Sequence, residues 1–154
     1  MAIYEKNLLA LQEVRQDFYD KVDKELNRNT DLYKKIYTGN ALDGDKFLVI
    51  MDGDALMPLA STYSPCHEAE RYALQYEENW EVQTLLLFGF GNPMVIRQIL
   101  SDACPINRCI VYEPSIDIFK KVLEEYEIED LLRDPRLTIM VKGVNGEELE
   151  EELY

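Results

Sequence analysis

Residues 84–113, Thr84-Leu-Leu-Leu-Phe-Gly-Phe-Gly-Asn-Pro-Met-Val-Ile-Arg-Gln-Ile-Leu-Ser-Asp-Ala-Cys-Pro-Ile-Asn-Arg-Cys-Ile-Val-Tyr-Glu113, decide the fold class. An apolar run ends in Gly89-Phe90-Gly91, a helical pattern follows, and a second apolar run ends in Tyr112-Glu113-Pro114. The pattern predicts a strand, a glycine turn, a helix and a second strand with an acid at its tip. Such a unit presents backbone N–H groups and a helix N-terminus to an anionic nucleotide, with the acid placed for a ribose. Glu113 lies 22 residues past Gly91, near the spacing of about 20 that the dinucleotide fingerprint uses. The third glycine of that fingerprint falls at Met94, and Pro93 removes one N–H donor while suiting the first position of a helix. Two readings follow. The glycines only make the turn, or Gly89, Phe90, Gly91, Asn92 and Glu113 line a nucleotide or nucleotide-sugar site.

Outward from this unit, the spacing predicts parallel strands at Leu85–Gly89, Cys109–Glu113 and Leu137–Val141. Helices are predicted near 93–103 and 115–127, with a short helical turn over Ile128–Arg133 and Asp134-Pro135 as its stop. The continuous apolar run of the first strand implies burial on both faces. Upstream, residues 3–36 read as helical, with Leu8, Leu11, Phe18, Val22 and Leu26 forming a stripe. Asn27, Asn29 and Thr30 mark a break, and Asp31–Tyr37 reads as a further helical turn or two. Residues 39–45 are turn-rich. Lys46–Met51 and Ala55–Ala60 flank Asp52-Gly53-Asp54 as a β-hairpin. Residues 61–80 begin as a loop and become a helix opened by Ser64 or Pro65, with Ala69, Tyr72, Ala73 and Tyr76 as its apolar face. Glu147–Tyr154 starts another helix.

The expected architecture is α/β. A Rossmann-like half-sheet over 46–154 carries the hairpin on one edge, giving a mixed sheet of about five strands, and a helical segment (1–45) precedes it, all in one compact domain. Because the chain stops as a new helix begins, it is expected to be the N-terminal part of a longer protein.

Composition narrows the function classes. The 154 residues carry 47% hydrophobic and 30% charged residues, as ordinary globular domains do. The formal charge of −14 argues against binding nucleic acid or an anionic membrane, both of which need basic patches. No apolar stretch approaches the roughly 18 residues of a membrane span, and Glu5 and Lys6 precede any apolar run, unlike a secretory signal. Cys66, Cys104 and Cys109 are an odd set in apolar or strand-like contexts, so a reducing cytoplasm is expected and a disulfide framework is not. Cys104 and Cys109 are too far apart for a C-x-x-C pair, and no metal site is expected.

His67 is the only histidine. It reads either as a surface residue at a helix start or as a general base, although no nucleophile stands near it. Glu68 and Arg71, three apart, are expected to form a helix-surface ion pair or to cap the segment. Tyr63, Pro65 and Glu68 read as a structural corner or as ligand contacts. The ten tyrosines read either as carbohydrate-stacking rings or as core; Tyr33, Tyr72, Tyr76 and Tyr126 fall at helical apolar positions and are expected in the core. No residue is singled out as catalytic.

Several segments in this order carry a family resemblance. They are Asn7-Leu8-x-x-Leu11, the hairpin around Asp52-Gly53, Tyr63-x-Pro65-x-x-Glu68-Ala69, LLLFGFGNPM (85–94), IVYEPSIDIFK (110–120) and DPRLTIMVKG (134–143). The chain resembles the N-terminal domain of the motility accessory factor (Maf) family of flagellin glycosyltransferases. Where that family commonly reads G-x-G-x-G-Y, this chain has Gly91-Asn92-Pro93-Met94. The resemblance implies that full-length members transfer a nonulosonic acid, of the pseudaminic or legionaminic type, from a CMP-sugar to flagellin Ser or Thr. It places the chemistry in a central domain. This domain would then be an accessory scaffold without a cofactor of its own, its partners being that central domain, flagellin and oligomer mates. The competing class is a stand-alone nucleotide- or S-adenosylmethionine-binding enzyme. An apolar patch for the missing domain is expected around Met57, Leu59 and Tyr63.

Overall fold

The computed structural model describes residues 1–28, 30–77, 83–101 and 106–153. The sequence-based assignments at Asn29, Trp80 and Cys104, and the end of the helix expected to reach 103, lie outside these residues.

The parallel half-sheet is present. Strands β4 (Thr84–Phe88), β5 (Arg108–Glu113) and β6 (Leu137–Val141) run parallel in the order β4-β5-β6. In the central strand β5, Cys109, Ile110 and Val111 are fully buried. Helices α4 (Pro93–Ile99) and α5 (Ile116–Glu125) connect the strands. Asn92 and Ser115 cap them by accepting hydrogen bonds from the N–H groups of Met94 and Ile118, satisfying donors that a helix start leaves open. A short α6 (Glu129–Arg133) precedes β6, and α7 (Leu149–Leu153) follows it.

The mixed sheet of about five strands is not formed. The hairpin strands β2 (Lys46–Asp52) and β3 (Ala55–Pro58) belong to a separate antiparallel sheet, completed by β1 (Ile36–Asn40), in the order β1-β2-β3. Residues 36–40 were expected to end a helical turn and begin a loop. Instead, Ile36 pairs with Ile50 and Asn40 with Lys46. With β1 on one side and β3 on the other, both edges of β2 are occupied and none remains for the parallel sheet. Sequence periodicity misses β1 because Gly39 and Asn40 are poor strand formers. The gap at Gly39 is filled by Phe47, whose Cζ would lie 2.7 Å from a Cβ added there. The pairing of β1 with β2 also crosses residue 45, where the helical segment was expected to end.

The expected first helix is two helices, α1 (Ile3–Val14) and α2 (Gln16–Leu26), broken at Arg15 (φ −129°, ψ 55°). The break has a tertiary cause. The Arg15 guanidinium donates to the Leu132 and Asp134 carbonyls, both at 2.8 Å, at the end of α6, where a helix runs out of intrahelical donors; Asp134 O also accepts from Leu137 N. About two turns further back, the buried Asn7 amide does the same for α5. Its Nδ2 donates to Leu123 O (2.8 Å) and Tyr126 O (2.7 Å), and its Oδ1 accepts from Ile128 N (3.4 Å). Phe18 meets Phe119 edge-on, and Phe119 meets Phe90 at 5.5 Å. A continuous aromatic row therefore joins the N-terminal helices to the glycine turn. Helix α3 (Pro65–Glu77) packs on α4 through the buried Ala69 and Ala73. Tyr72, expected in that face, is 39% exposed; the alanines make the close contact and leave the larger ring outside.

Replacing Asn7 with alanine strands three buried backbone groups at once. Its expected cost is about 2–4 kcal/mol, read as a lower urea midpoint at unchanged slope. A loss under about 1 kcal/mol would mean that water replaces the amide there.

Candidate functional site

Gly89, Gly91, Asn92 and Glu113 converge at the carboxyl ends of β4 and β5 on a cleft of about 640 Å³. The cleft is mostly apolar, with Leu59, Tyr72, Phe88, Val95 and Ile118 among its walls. Parallel α/β sheets generally place ligands in this position. The chemistry of the turn, however, is directed inward.

Glu113 is 1% exposed. Its Oε1 accepts from Phe90 N at 2.8 Å and its Oε2 from Ser115 N at 2.9 Å. The acid at the strand tip thus holds two loops of its own chain with both oxygens. Burial raises its pKa, and the two N–H groups pull it partly back. Phe90, the middle residue of the turn, is fully buried and contributes its ring to the core. Gly89 sits at φ +102°, a region L side chains rarely adopt, and its N–H donates to Tyr112 O at 2.7 Å. Gly91 is needed for space. A Cβ there would lie 3.0 Å from Leu59 Cβ and 3.1 Å from Leu59 Cδ1, so the residue following β3 packs directly on the turn. The Asn92 side-chain oxygen caps α4 internally.

The second group of candidates lies along α3. Ser64 caps the helix by accepting from His67 N at 3.1 Å, and Pro65 is its buried first residue. Glu68 does not pair with Arg71. Its Oε1 accepts from Ser61 N at 3.2 Å and lies 3.5 Å from the Asn92 amide nitrogen. The carboxylate is drawn back toward the loop and the glycine turn, away from the next helical turn. His67 is exposed, with Nδ1 at 3.8 Å from Glu70 Oε2, and no nucleophile of the described residues contacts it. Tyr63 is 71% exposed. The corner and the glycine turn therefore meet through Glu68 and Asn92. Sequence reasoning missed Leu59 as the residue closing the turn, since an apolar residue after a hairpin has no distinguishing pattern. Among the described residues, no group of three or more His, Cys, Asp or Glu is arranged to hold a metal. Among them, no helix is long and apolar enough to cross a membrane.

No family model matches the chain, and no curated protein matches it in sequence. Among solved structures, it is similar to the MAf glycosyltransferase from Magnetospirillum magneticum AMB-1, with 13% identity and a TM-score of 0.54. The match covers 97% of this chain and 29% of that one. This is a likeness of fold. Spermidine synthase from Thermotoga maritima aligns over 71% of this chain and 42% of its own, at 17% identity and TM-score 0.45. A spermidine synthase in complex with the transition-state analogue AdoDATO aligns over 77% of this chain and 43% of its own, at 18% identity and TM-score 0.46.

The turn makes two measurable demands. Gly91→Ala forces Leu59 aside and is expected to cost about 1–3 kcal/mol. Leu59→Ala in the same chain should recover part of that loss, and a double-mutant cycle showing strict additivity would rule out the contact. For Glu113 the raised pKa sets the sign. The stability this carboxyl contributes is present below its ordinary value of 4.5 and is lost as pH rises through the elevated native value. Glu113→Gln leaves one of the two N–H groups without an acceptor but carries no charge to desolvate. Urea titrations from pH 4 to 7 should therefore show the wild type losing stability relative to Glu113→Gln as pH rises. A wild type that gains stability relative to Glu113→Gln as pH rises would contradict this assignment.

Proposed function

We propose that this chain is an N-terminal accessory domain of a Maf-type glycosyltransferase. It would act as a scaffold for partner domains, acceptor protein or oligomer mates, and would not perform transfer itself. The observation that carries the reading is the breadth of the fold likeness. The N-terminal helices, the antiparallel sheet and the parallel half-sheet together align, over 97% of this chain. The internally satisfied glycine turn also supports it, because Glu113, Gly91 and Asn92 each serve the chain's own packing. On this reading the CMP-sugar donor and flagellin acceptor belong to the full-length protein, which works in the cytoplasm. The exposed Met57 (50%) and Leu56 (62%) lie on the edge strand β3, where a neighbouring domain would find apolar surface. Leu59 is withdrawn from that surface onto Gly91.

A second reading, a stand-alone nucleotide- or S-adenosylmethionine-binding enzyme, draws support from the open 640 Å³ cleft and its place at the strand ends. Calorimetric titration separates the two. The 154-residue chain is expected to give no saturable heat with S-adenosylmethionine at millimolar ligand. It is also expected to give no transfer from a CMP-nonulosonate to flagellin. Saturable binding of S-adenosylmethionine would favour the second reading, and measurable transfer would overturn the scaffold assignment.

A further inference from the structure

The donors of the glycine turn face inward, but those of the neighbouring groove do not. A groove of about 520 Å³ runs along one face of α3, from Ser61, Tyr63 and Ser64 past His67 to Arg71 and Tyr72. It shares Glu68 and Tyr72 with the cleft at the glycine turn, so the two depressions adjoin.

Arg71 is set apart by hydrogen-bond accounting. Among the described residues, Arg15, Arg28, Arg97, Arg133 and Arg136 each hold a carboxylate or a backbone carbonyl, and Arg108 is also engaged. Arg71 alone among them has no hydrogen bond or ion pair. This occurs in a chain with 30 acidic residues against 16 basic ones, where an acid partner is easily found. Glu68, three residues before it on α3, is held by Ser61 N. The hydroxyls of Tyr63 and Tyr72 are also without partners among the described residues: Tyr63 interacts through its backbone N–H, and Tyr72 through its carbonyl and ring. The groove therefore holds, among the described residues, an unpaired guanidinium and two tyrosine hydroxyls without partners.

We propose that this groove binds a small ligand of sugar size bearing one oxyanion, a phosphate monoester or a carboxylate, with Arg71 as the anchor. A guanidinium offers a planar fork that matches two oxygens of such a group. The tyrosine rings present apolar faces and hydroxyl donors to a hydroxylated ring. Glu68 and Glu70 flank the site and disfavour ligands of higher charge, such as a diphosphate. The inference does not depend on the scaffold assignment, because neither the glycine turn nor Glu113 takes part.

The test uses the full chain, with glucose 6-phosphate and glucuronate as probes and glucose and inorganic phosphate as controls, followed by calorimetry or chemical-shift titration at low salt. At least one oxyanion sugar is expected to bind saturably, with a Kd on the order of 1 mM. Arg71→Ala should weaken it roughly tenfold or more, and Arg71→Lys less, since the charge stays and the fork is lost. Tyr63→Ala should weaken the sugar and leave phosphate unaffected. Both arginine variants should keep the wild-type urea midpoint, because the side chain is exposed. Failure of both sugars to saturate would overturn the proposal, as would undiminished binding by Arg71→Ala. Equal binding of glucose would remove the oxyanion from it, and equal binding of phosphate alone would remove the ring; either result overturns it as stated.

Discussion

The Glu113 carboxylate bridges two loops, with one oxygen on Phe90 N and the other on Ser115 N. These loops follow adjacent parallel strands, so a single buried side chain sets the height of both helix entries above the sheet. Each bond is charge-assisted, and such bonds contribute about 1.5–3 kcal/mol, against a desolvation cost that raises the carboxyl's pKa. Much else depends on this arrangement. Phe90 is held where its ring reaches Phe119 and, through it, Phe18 of the second helix. The same two bonds take up the acceptors that a ribose would otherwise use. The strand-tip acid is the clamp that fixes the turn.

The N-terminal helices are joined to the half-sheet by polar contacts at helix ends as well as by apolar packing. Asn7 and Arg15 each satisfy carbonyls that close α5 and α6. Tyr33 adds a bond from its hydroxyl to Glu124, and Thr30 one to Asp117. These bonds are directional, and they fix the register of the helical layer on the sheet more sharply than apolar contact would. The antiparallel sheet contributes Leu59 to the glycine turn. Each of the three parts thereby touches the residues at the top of the half-sheet, and among the described residues no buried side-chain nitrogen or oxygen lacks a partner.

The surface carries the reverse pattern. The acids outnumber the bases, and nearly every arginine is held by an internal acceptor. The outward face of the antiparallel sheet carries Tyr37, Met51 and Leu56, each more than 40% exposed, with Met51 opposite Leu56 in the ladder. Charge keeps such a protein soluble, while the apolar strip and the α3 groove offer distinct chemistry to whatever approaches.

The sequence by itself determined the parallel half-sheet. Leu85–Leu87, Cys109–Val111 and Leu137–Val141 are apolar runs bounded by glycine, proline and acid. Burial on both faces, expected of the first run, holds for the other two; β4 lies at the sheet edge, where only Leu87 is buried and Phe88 is 72% exposed. The sequence also determined the starts of α3, α4 and α5, because Ser64, Asn92 and Ser115 are local caps whose effect needs no distant partner. Only the tertiary structure decided the break at Arg15, which depends on carbonyls 117 and 119 residues away. It alone made a strand of Ile36–Asn40, which owes its conformation to pairing with β2 and to the Phe47 ring over Gly39. It also decided what the glycine turn is for. Gly-x-Gly and a distant acid specify backbone freedom and a carboxylate, but which groups they meet depends on Leu59 and on the fold of two loops. Such contacts leave no periodic trace in a sequence.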